Sequence, residues 1–416
     1  SRRVAAVNYA QAKRNNKARI QIEYRLMFNP DTSSGTRSSL IRNGLVRNIM
    51  SQTFPCLFVD LAVIRNNAQA MVSLCRDHGI TPVGITKLAR GACEVAQAFI
   101  DGGIKTVGDS RIGNLENMAG MPVEKMLLRI PQVSRAVDVV TYADISLNSE
   151  PRTVRALSAA AAALNRTHKV IVMHDLGDLR EGCFRAEDTV ALAKLVLDLP
   201  NLELEGVGAN LACYGGVEPT TENQQTLVDI GRRIERELGV RLHTVSGASS
   251  AGLPLLLRGG MPSGVTQLRL GASLLMGIGL NDDPIPGTTQ DAFELGVEII
   301  ELKEKPSVPI NSTALDAFGN KPEFEDFGNR QRAICALGKQ DIDFEQLIPS
   351  DPAIRIIGGS SDHLILDVTD SKMNYQVGDA VYFSLSYGGV LQAMTSDYVR
   401  KTYRNAKKAE RLAEAA

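Results

Sequence analysis

The sequence predicts an α/β protein: a (β/α)8 TIM-type barrel with a C-terminal antiparallel β domain. Three observations lead there. Between Pro82 and Gly271, eight strand-like runs alternate with helical patterns, as parallel strands joined by crossover helices do. No G-x-G-x-x-G turn follows an early strand, as a doubly wound sheet would want. After about Pro284 helical periodicity nearly vanishes and short β-type runs take over.

The eight predicted barrel strands are Pro82–Thr86, Thr106–Gly108, Lys125–Arg129, Ile145–Leu147, Lys169–His174, Leu204–Ala209, His243–Ser246 and Gln267–Leu270. Helical patterns lie between them, among them Ala92–Ile100, Glu150–Asn165, Ala186–Asp198 and Thr221–Leu238. The β domain reads as Glu298–Leu302, Ala333–Leu337, Ile354–Ile357, His363–Val368 and Ala380–Leu385, separated by Pro, Gly and Asp turns. An early strand, Cys56–Leu61, falls outside the eight and is expected to pair with that domain. The domains are therefore expected to be a basic N-terminal extension (1–53), a barrel (54–284) and a β domain (285–416), with a short charged helix or frayed tail from Asn405.

Composition narrows the function classes. The 416 residues are 44% hydrophobic and 22% charged, values of a soluble globular protein. No apolar run has the ~18 residues of a membrane span. The net charge of −1 gives no reason to expect nucleic acid. That sum hides an asymmetry: residues 1–50 hold ten Lys/Arg against two Asp/Glu, while the remainder holds 36 against 45. Such a start is either a transit-type segment or an extension ahead of a fold that begins near Phe54. The six cysteines are scattered without C-x-x-C or metal-site spacing. Reduced thiols and a cytoplasmic location are expected, with no metal.

The chemistry gathers at strand ends, the functional rim of such a barrel. Lys87 closes the run Pro82–Lys87. A partly desolvated lysine there can form a Schiff base with an aldehyde cofactor or a carbonyl substrate. The seventh strand ends in Ser246-Gly247-Ala248-Ser249-Ser250, small hydroxyl residues and amides suited to a phosphate. The eighth carries Arg269 within an apolar run, followed by Gly271 and Ala272. An arginine inside a strand must meet an acid or a ligand. The strand Lys169–His174 exits through the polar cluster His174–Gly182, a solvated turn or a substrate-contact loop.

A Schiff-base lysine, a phosphate cradle and a buried arginine on one rim describe a pyridoxal 5′-phosphate (PLP) site. The chain resembles the fold-type III PLP enzymes, the alanine racemase superfamily, and within it the ornithine racemase branch. The resemblance rests on Val83–Lys87, Gly108–Arg111, Leu127–Pro131, Asp144–Glu150, Asp175–Gly182, Gln267–Gly271, Asp316–Pro322, Ser360–Asp367 and Ala393–Ser396. It implies that Lys87 carries PLP and moves a proton on one face. It implies that Ser246, Ser249, Gly271 and Ala272 hold the phosphate, with Tyr387 reaching it from the β domain, and that Arg269 meets the pyridine nitrogen. It also implies a homodimer in which the β domain of one chain covers the barrel mouth of the other. Segments Asp316–Pro322 and Ser360–His363 would then face the partner's substrate.

One position departs from the family. Where alanine racemases bring a tyrosine from the partner as second acid/base, this chain has Phe318, in Ala317-Phe318-Gly319. The candidates for that role are Cys213, Tyr214, Asp362 and His363. The expected reaction is racemisation of a free amino acid, a basic one such as ornithine or lysine. Asp109, Asp175, Asp178, Asp316 and Asp362 are the acids available to read a distal ammonium. The same fold also carries decarboxylases, metal-assisted D-amino-acid aldolases and non-catalytic PLP-binding proteins. The first have a glycine triplet where this chain has Ser246–Ser250, the second need a metal site, and the third lack a β domain.

Overall fold

The computed structural model describes residues 53–321 and 323–405. The basic extension up to residue 52 and the tail beyond Asn405 lie outside the described residues. Strand β1 (Cys56–Asp60) is buried at all five positions. It runs directly into helix α1 (Leu61–Asp77), where the Asp60 carboxylate accepts from the amides of Ala62 and Val63. Those amides have no partner within the helix, so an acid at this position caps it.

The barrel follows: β2 (Thr81–Ile85), β3 (Thr106–Asp109), β4 (Glu124–Leu127), β5 (Ile145–Asn148), β6 (His168–Met173), β7 (Leu202–Gly208), β8 (Thr244–Ser249) and β9 (Gln267–Leu270). The order around the barrel is the chain order, closed by β9 against β2. All eight predicted strands are present, with ends shifted by a residue or a few. Inward-pointing side chains alternate along the strands, as the two-residue period requires. Val83 and Ile85, Ile145 and Leu147, and Ile171 and Met173 meet Met126 in one interior cluster. The opposite faces pack under helices that include α2 (Cys93–Asp101), α3 (Ile112–Asn117), α4 (Ala136–Tyr142), α5 (Pro151–Ala163), α6 (Ala186–Asp198) and α7 (Thr221–Leu238). Helix α7 starts at a capping box between Thr220 and Asn223 and stops at Gly239, whose φ of 67° only glycine adopts freely.

The N-terminal end of the barrel is tied by charge. Lys169 lies 3.0 Å from Glu124 and 4.0 Å from Glu205. Thr106 and Thr244 donate to the same two carboxylates at 3.0 and 2.8 Å. The Glu124 hydrogen bond raises the Lys169 pKa. Polar ties on this face belong to stability rather than catalysis.

The β domain comprises β10 (Phe293–Pro306), β11 (Asn329–Cys335), β12 (Leu347–Pro349), β13 (Arg355–Gly359), β14 (Leu364–Asp367), β15 (Ala380–Leu385) and β16 (Arg400–Arg404). Its path is β12-β15-β10-β11-β14-β13. Strand β1 joins this sheet, antiparallel to β10 and parallel to β16. That parallel pair is the departure from an antiparallel sheet, and it arises because β1 enters from ahead of the barrel. Helix α8 (Leu253–Leu257) and the single turn α9 (Ala272–Leu275) follow β8 and β9, and helix α10 (Tyr387–Thr395) follows β15. Helix α10 lies against the short turn Lys87–Ala89 beyond β2. Arg90 bonds Asp397 at 2.8 Å across the same seam.

His168 gives the fold a pH dependence. It is 1% exposed, with Nε2 2.7 Å from the Ser146 hydroxyl. Burial pulls its pKa from 6.5 down to about 4. Between those two values the unfolded chain binds a proton that the folded chain excludes. Stability from this group is therefore intact above about pH 6.5 and is lost as pH falls towards about 4. Chemical denaturation across that range should show His168→Gln with a flatter pH slope than the parent protein. Equal slopes would mean that His168 charges within the fold at no penalty.

Candidate active site

Lys87 is placed by the residue before it. Thr86 is fully buried, and its hydroxyl donates to the Asp109 carboxylate at 2.8 Å. Asp109 also accepts from the Arg111 amide and the Asn114 side chain, both at 2.9 Å. Burial raises the Asp109 pKa against the pull of these hydrogen bonds. Two strands are thereby clasped just below the point where Lys87 leaves β2. The chain then reverses through Arg90 and Gly91, at φ 54° and 66°. The Lys87 ammonium stands 5.8 Å from the centroid of the Tyr387 ring. Lys87 thus opens a single-turn helix and does not end a strand.

A cavity of about 630 Å³ occupies the C-terminal mouth of the barrel. Its size falls in the usual range for small-molecule sites, roughly 300–1,000 Å³. Each strand end contributes in turn. Lys87 comes from beyond β2, Ser110 from β3, Leu128 to Ile130 from β4, Arg180 and Glu181 from β6, and Cys213 from β7. Ser249 and Ser250 come from β8, and Arg269, Gly271 and Ala272 from β9. Tyr387 enters from the β domain, and the turn Gly279–Asp282 closes one side.

Most of the predicted PLP-binding set is gathered here: Lys87, Ser249, Arg269, Gly271, Ala272 and Tyr387. Ser246 is a correction. It is fully buried below the cavity, where its hydroxyl donates to Gln267 at 2.8 Å and accepts from Arg269. It positions the arginine and has no access to a phosphate. Ser250, part of the run read as suited to a phosphate but not among the residues assigned to hold it, lines the cavity. Its hydroxyl accepts from the amides of Gly271 and Ser273, both at 3.2 Å, and so stitches the β8 turn to the β9 turn. Its place in the Ser246–Ser250 run was the available signal.

Arg269 is 4% exposed. Its guanidinium donates to the carbonyls of Ser246 and Ala209, and no carboxylate pairs with it among the described residues. Burial lowers its pKa to about 10, so it stays protonated at neutral pH. A buried cation held only by neutral acceptors is a strong donor for a further acceptor in the cavity.

The acids expected to read an ammonium are corrected as well. Asp109 forms the clasp described above. Asp175 accepts from the amides of Gly177 and Leu179 at 2.8 and 3.1 Å. Asp178 is 1% exposed and accepts from the amides of Tyr214, Gly215 and Val217. None of the three lines the cavity. Backbone amides outcompete a ligand for them because an unpaired buried N–H is costly.

Of the acid/base candidates, Cys213 lines the cavity and Tyr214 does not, its side chain being 75% exposed. Asp362 and His363 pair with each other at 3.0 Å, away from this chain's cavity. Asp316 also lies outside it, bonded to the amides of Phe318 and Asn320 at 2.9 and 2.8 Å. Beside Cys213, Arg180 pairs with Glu181 and donates to the Asn210 amide oxygen at 2.9 Å. Both Glu181 and the Cys213 thiol raise the Arg180 pKa.

Asp178 therefore fixes the loop that presents Cys213. Asp178→Ala should strip three amides of their acceptor and destabilise the protein by roughly 2 kcal/mol or more. Denaturant unfolding measures the loss, and limited proteolysis should show faster cutting between 210 and 217. Unchanged stability and cutting would mean that the loop holds itself.

The fold and the site can be set beside known proteins. The family model described as alanine racemase, N-terminal domain, matches residues 59–278. The chain is 44% identical over 350 residues to the ornithine racemase of Acetoanaerobium sticklandii, covering 84% of this chain and 99% of that one. It is 39% identical over 355 residues to the lysine racemase of Thermotoga maritima, covering 84% and 98%. Among solved structures, alanine racemase from Clostridium difficile 630 superposes with a TM-score of 0.67 at 19% identity, over 85% of this chain and 96% of that one. D-threonine aldolase from Filomicrobium marinum gives 0.62 at 18% identity, over 82% and 89%, so the architecture alone does not select the reaction. The family model spans more than half of the sequence, and relatives match along most of its length. The chain belongs to the alanine racemase family.

Proposed function

We propose that this chain is a PLP-dependent racemase of basic amino acids, with ornithine and lysine as the first substrates to test. The reading rests on one observation above the rest: Lys87 and Cys213 both line a single cavity at the barrel mouth. Lys87 follows β2 and Cys213 follows β7, which is five strands round the barrel one way and three the other. Racemisation needs a proton removed from one face of a carbon and returned on the other, so two acid/base groups must flank it. The relatives named ornithine racemase and lysine racemase support the substrate class.

The residues fit PLP. Ser249 and the turn Gly271–Ala272 offer a hydroxyl and backbone to a phosphate, Lys87 an amine to the aldehyde, and Arg269 a buried donor to a ring nitrogen. When bound, PLP supplies the electron sink that makes an α-proton removable. The protein's part is to hold protons at stated atoms. Nζ of Lys87 takes or gives one on its side, and Sγ of Cys213 on the other. A guanidinium of pKa about 10 keeps its proton. Arg269 would therefore donate to the ring nitrogen of bound PLP without protonating it, which would limit the sink and favour rapid return of the proton.

A homodimer with shared sites is part of the proposal. The Asp316–Phe318 segment and the Ser360–His363 turn are solvent-facing or half-buried and lie off this chain's own cavity, as segments that face a second copy would. A cytoplasmic location belongs to the same reading, and the free cysteines suit a reducing compartment. No helix among the described residues is long and apolar enough to cross a membrane.

Polarimetry on a panel of L-amino acids tests the activity, with ornithine and lysine expected to lose rotation. Lys87→Ala should lose bound PLP on dialysis along with all turnover. Cys213→Ala should slow racemisation by on the order of a hundredfold or more. It should still exchange the α-proton of one enantiomer with deuterated water, because one base remains. Racemisation by Cys213→Ala at the parent rate would remove Cys213 from the mechanism.

A further inference from the structure

A guanidinium donates hydrogen bonds and accepts none. A buried hydroxyl that accepts from one must therefore send its own proton to some other acceptor, because an unmade hydrogen bond there is costly. Ser246 is such a hydroxyl. It accepts from Nη1 of Arg269 and donates to Oε1 of Gln267 at 2.8 Å. All three side chains are buried, Gln267 at 8% exposure, Arg269 at 4% and Ser246 completely. Among the described residues no other acceptor takes the Ser246 proton. The direction of the relay is thereby fixed: Arg269 to Ser246, Ser246 to Gln267.

Strand register places the three. Strands β8 and β9 run parallel with Ser246 opposite Gln267. Gln267 and Arg269 are two residues apart on β9 and so share a face, while Leu268 between them joins the larger core around the barrel. On β7, Gly208 stands opposite Ser246, and a Cβ there would crowd it at 3.3 Å. The carbonyls of Ser246 and Ala209 take further bonds from the guanidinium. Everything that holds Arg269 is therefore neutral, and the cation is fixed in place without being neutralised. Gln267 does not line the cavity itself. It reaches the site only through Ser246 and Arg269.

We propose that Gln267 is a positioning residue for Arg269. By taking the Ser246 proton it leaves Ser246 as an acceptor alone, which holds the guanidinium as an unneutralised donor aimed at the ring nitrogen of bound PLP. This rests on the PLP reading and deepens it, because it names what aims the donor.

The test strips the full chain of cofactor and titrates it with two probes: PLP, and the PLP analogue in which C–H replaces the ring nitrogen. Gln267→Met keeps the length of the side chain and removes the acceptor. It should weaken PLP binding by on the order of tenfold. It should bind the carbon analogue as the parent does, since no ring nitrogen is left for Arg269 to meet. Gln267→Glu retains an acceptor oxygen and should stand closer to the parent than Gln267→Met. Ser246→Ala should lose as much PLP affinity as Gln267→Met, and the double variant no more than either, because both cut the same relay. The melting temperature of the apoprotein shows whether each variant folds, and Gln267→Leu replaces Gln267→Met if that one does not. Parent-like PLP affinity in Gln267→Met would overturn the proposal. So would an equal loss for both probes, which would make Gln267 a packing residue, or additive losses in the double variant. A parent chain that binds no PLP would sink the cofactor reading itself, before any variant is made.

Discussion

Everything in the site depends on β9 closing the barrel against β2. In that parallel pairing Val83 faces Arg269 and Gly84 faces Leu270. The lysine that leaves β2 and the arginine embedded in β9 are far apart in the chain, and this register alone sets them side by side. The ladder that fixes it is made of backbone hydrogen bonds between strands buried on both faces. A slip of one residue would turn every side chain to the wrong face. The interior cluster around Val83, Ile85 and Ile171 forbids that slip, since it fills the barrel beneath the cavity.

Carboxylates around the mouth divide by burial. Those sunk below the rim, Asp109 and Asp178, are struts: each gathers backbone or side-chain donors and ties two loops together. A buried charge needs such partners simply to exist in the fold. The carboxylate at the lip, Asp282, is exposed and lines the cavity. The same residue type thus ties loops below the rim and lines the cavity at its lip, and depth separates the two.

The barrel was legible because eight apolar runs at regular spacing admit few alternatives, and β1 was legible as an outlier because it broke the count. Lys87 and Arg269 stood out because a charge beside or within an apolar strand demands an explanation. Ser246 misled because a serine at a strand end looks alike whether it points up into the mouth or down towards a buried arginine. The pleat decides, and a bulge in the pairing of β8 with β9 between Ser246 and Ala248 shifts the pleat just there. Asp175 and Asp178 misled for a related reason. Backbone amides that curl around a carboxylate belong to loop geometry, which no spacing in the sequence records. Asp282 passed unnoticed because nothing in Leu280-Asn281-Asp282-Asp283 separates a cavity lip from an ordinary solvated turn.

The place of β1 bears on how this chain comes into being. It leads the described fold, yet it is flanked in its sheet by β10 and β16, so one edge waits for β10 and the other for the last described strand. During synthesis from the N-terminus the barrel sequence emerges whole while β1 waits. Its five apolar and capping positions wait more than two hundred residues for β10, and one edge waits more than three hundred for β16. The β domain then forms around a strand held beside the finished barrel by α1, making that first strand the template on which β10 and β16 are laid down. A nascent chain stopped short of Arg400 therefore carries an open, apolar strand edge that invites association with its neighbours.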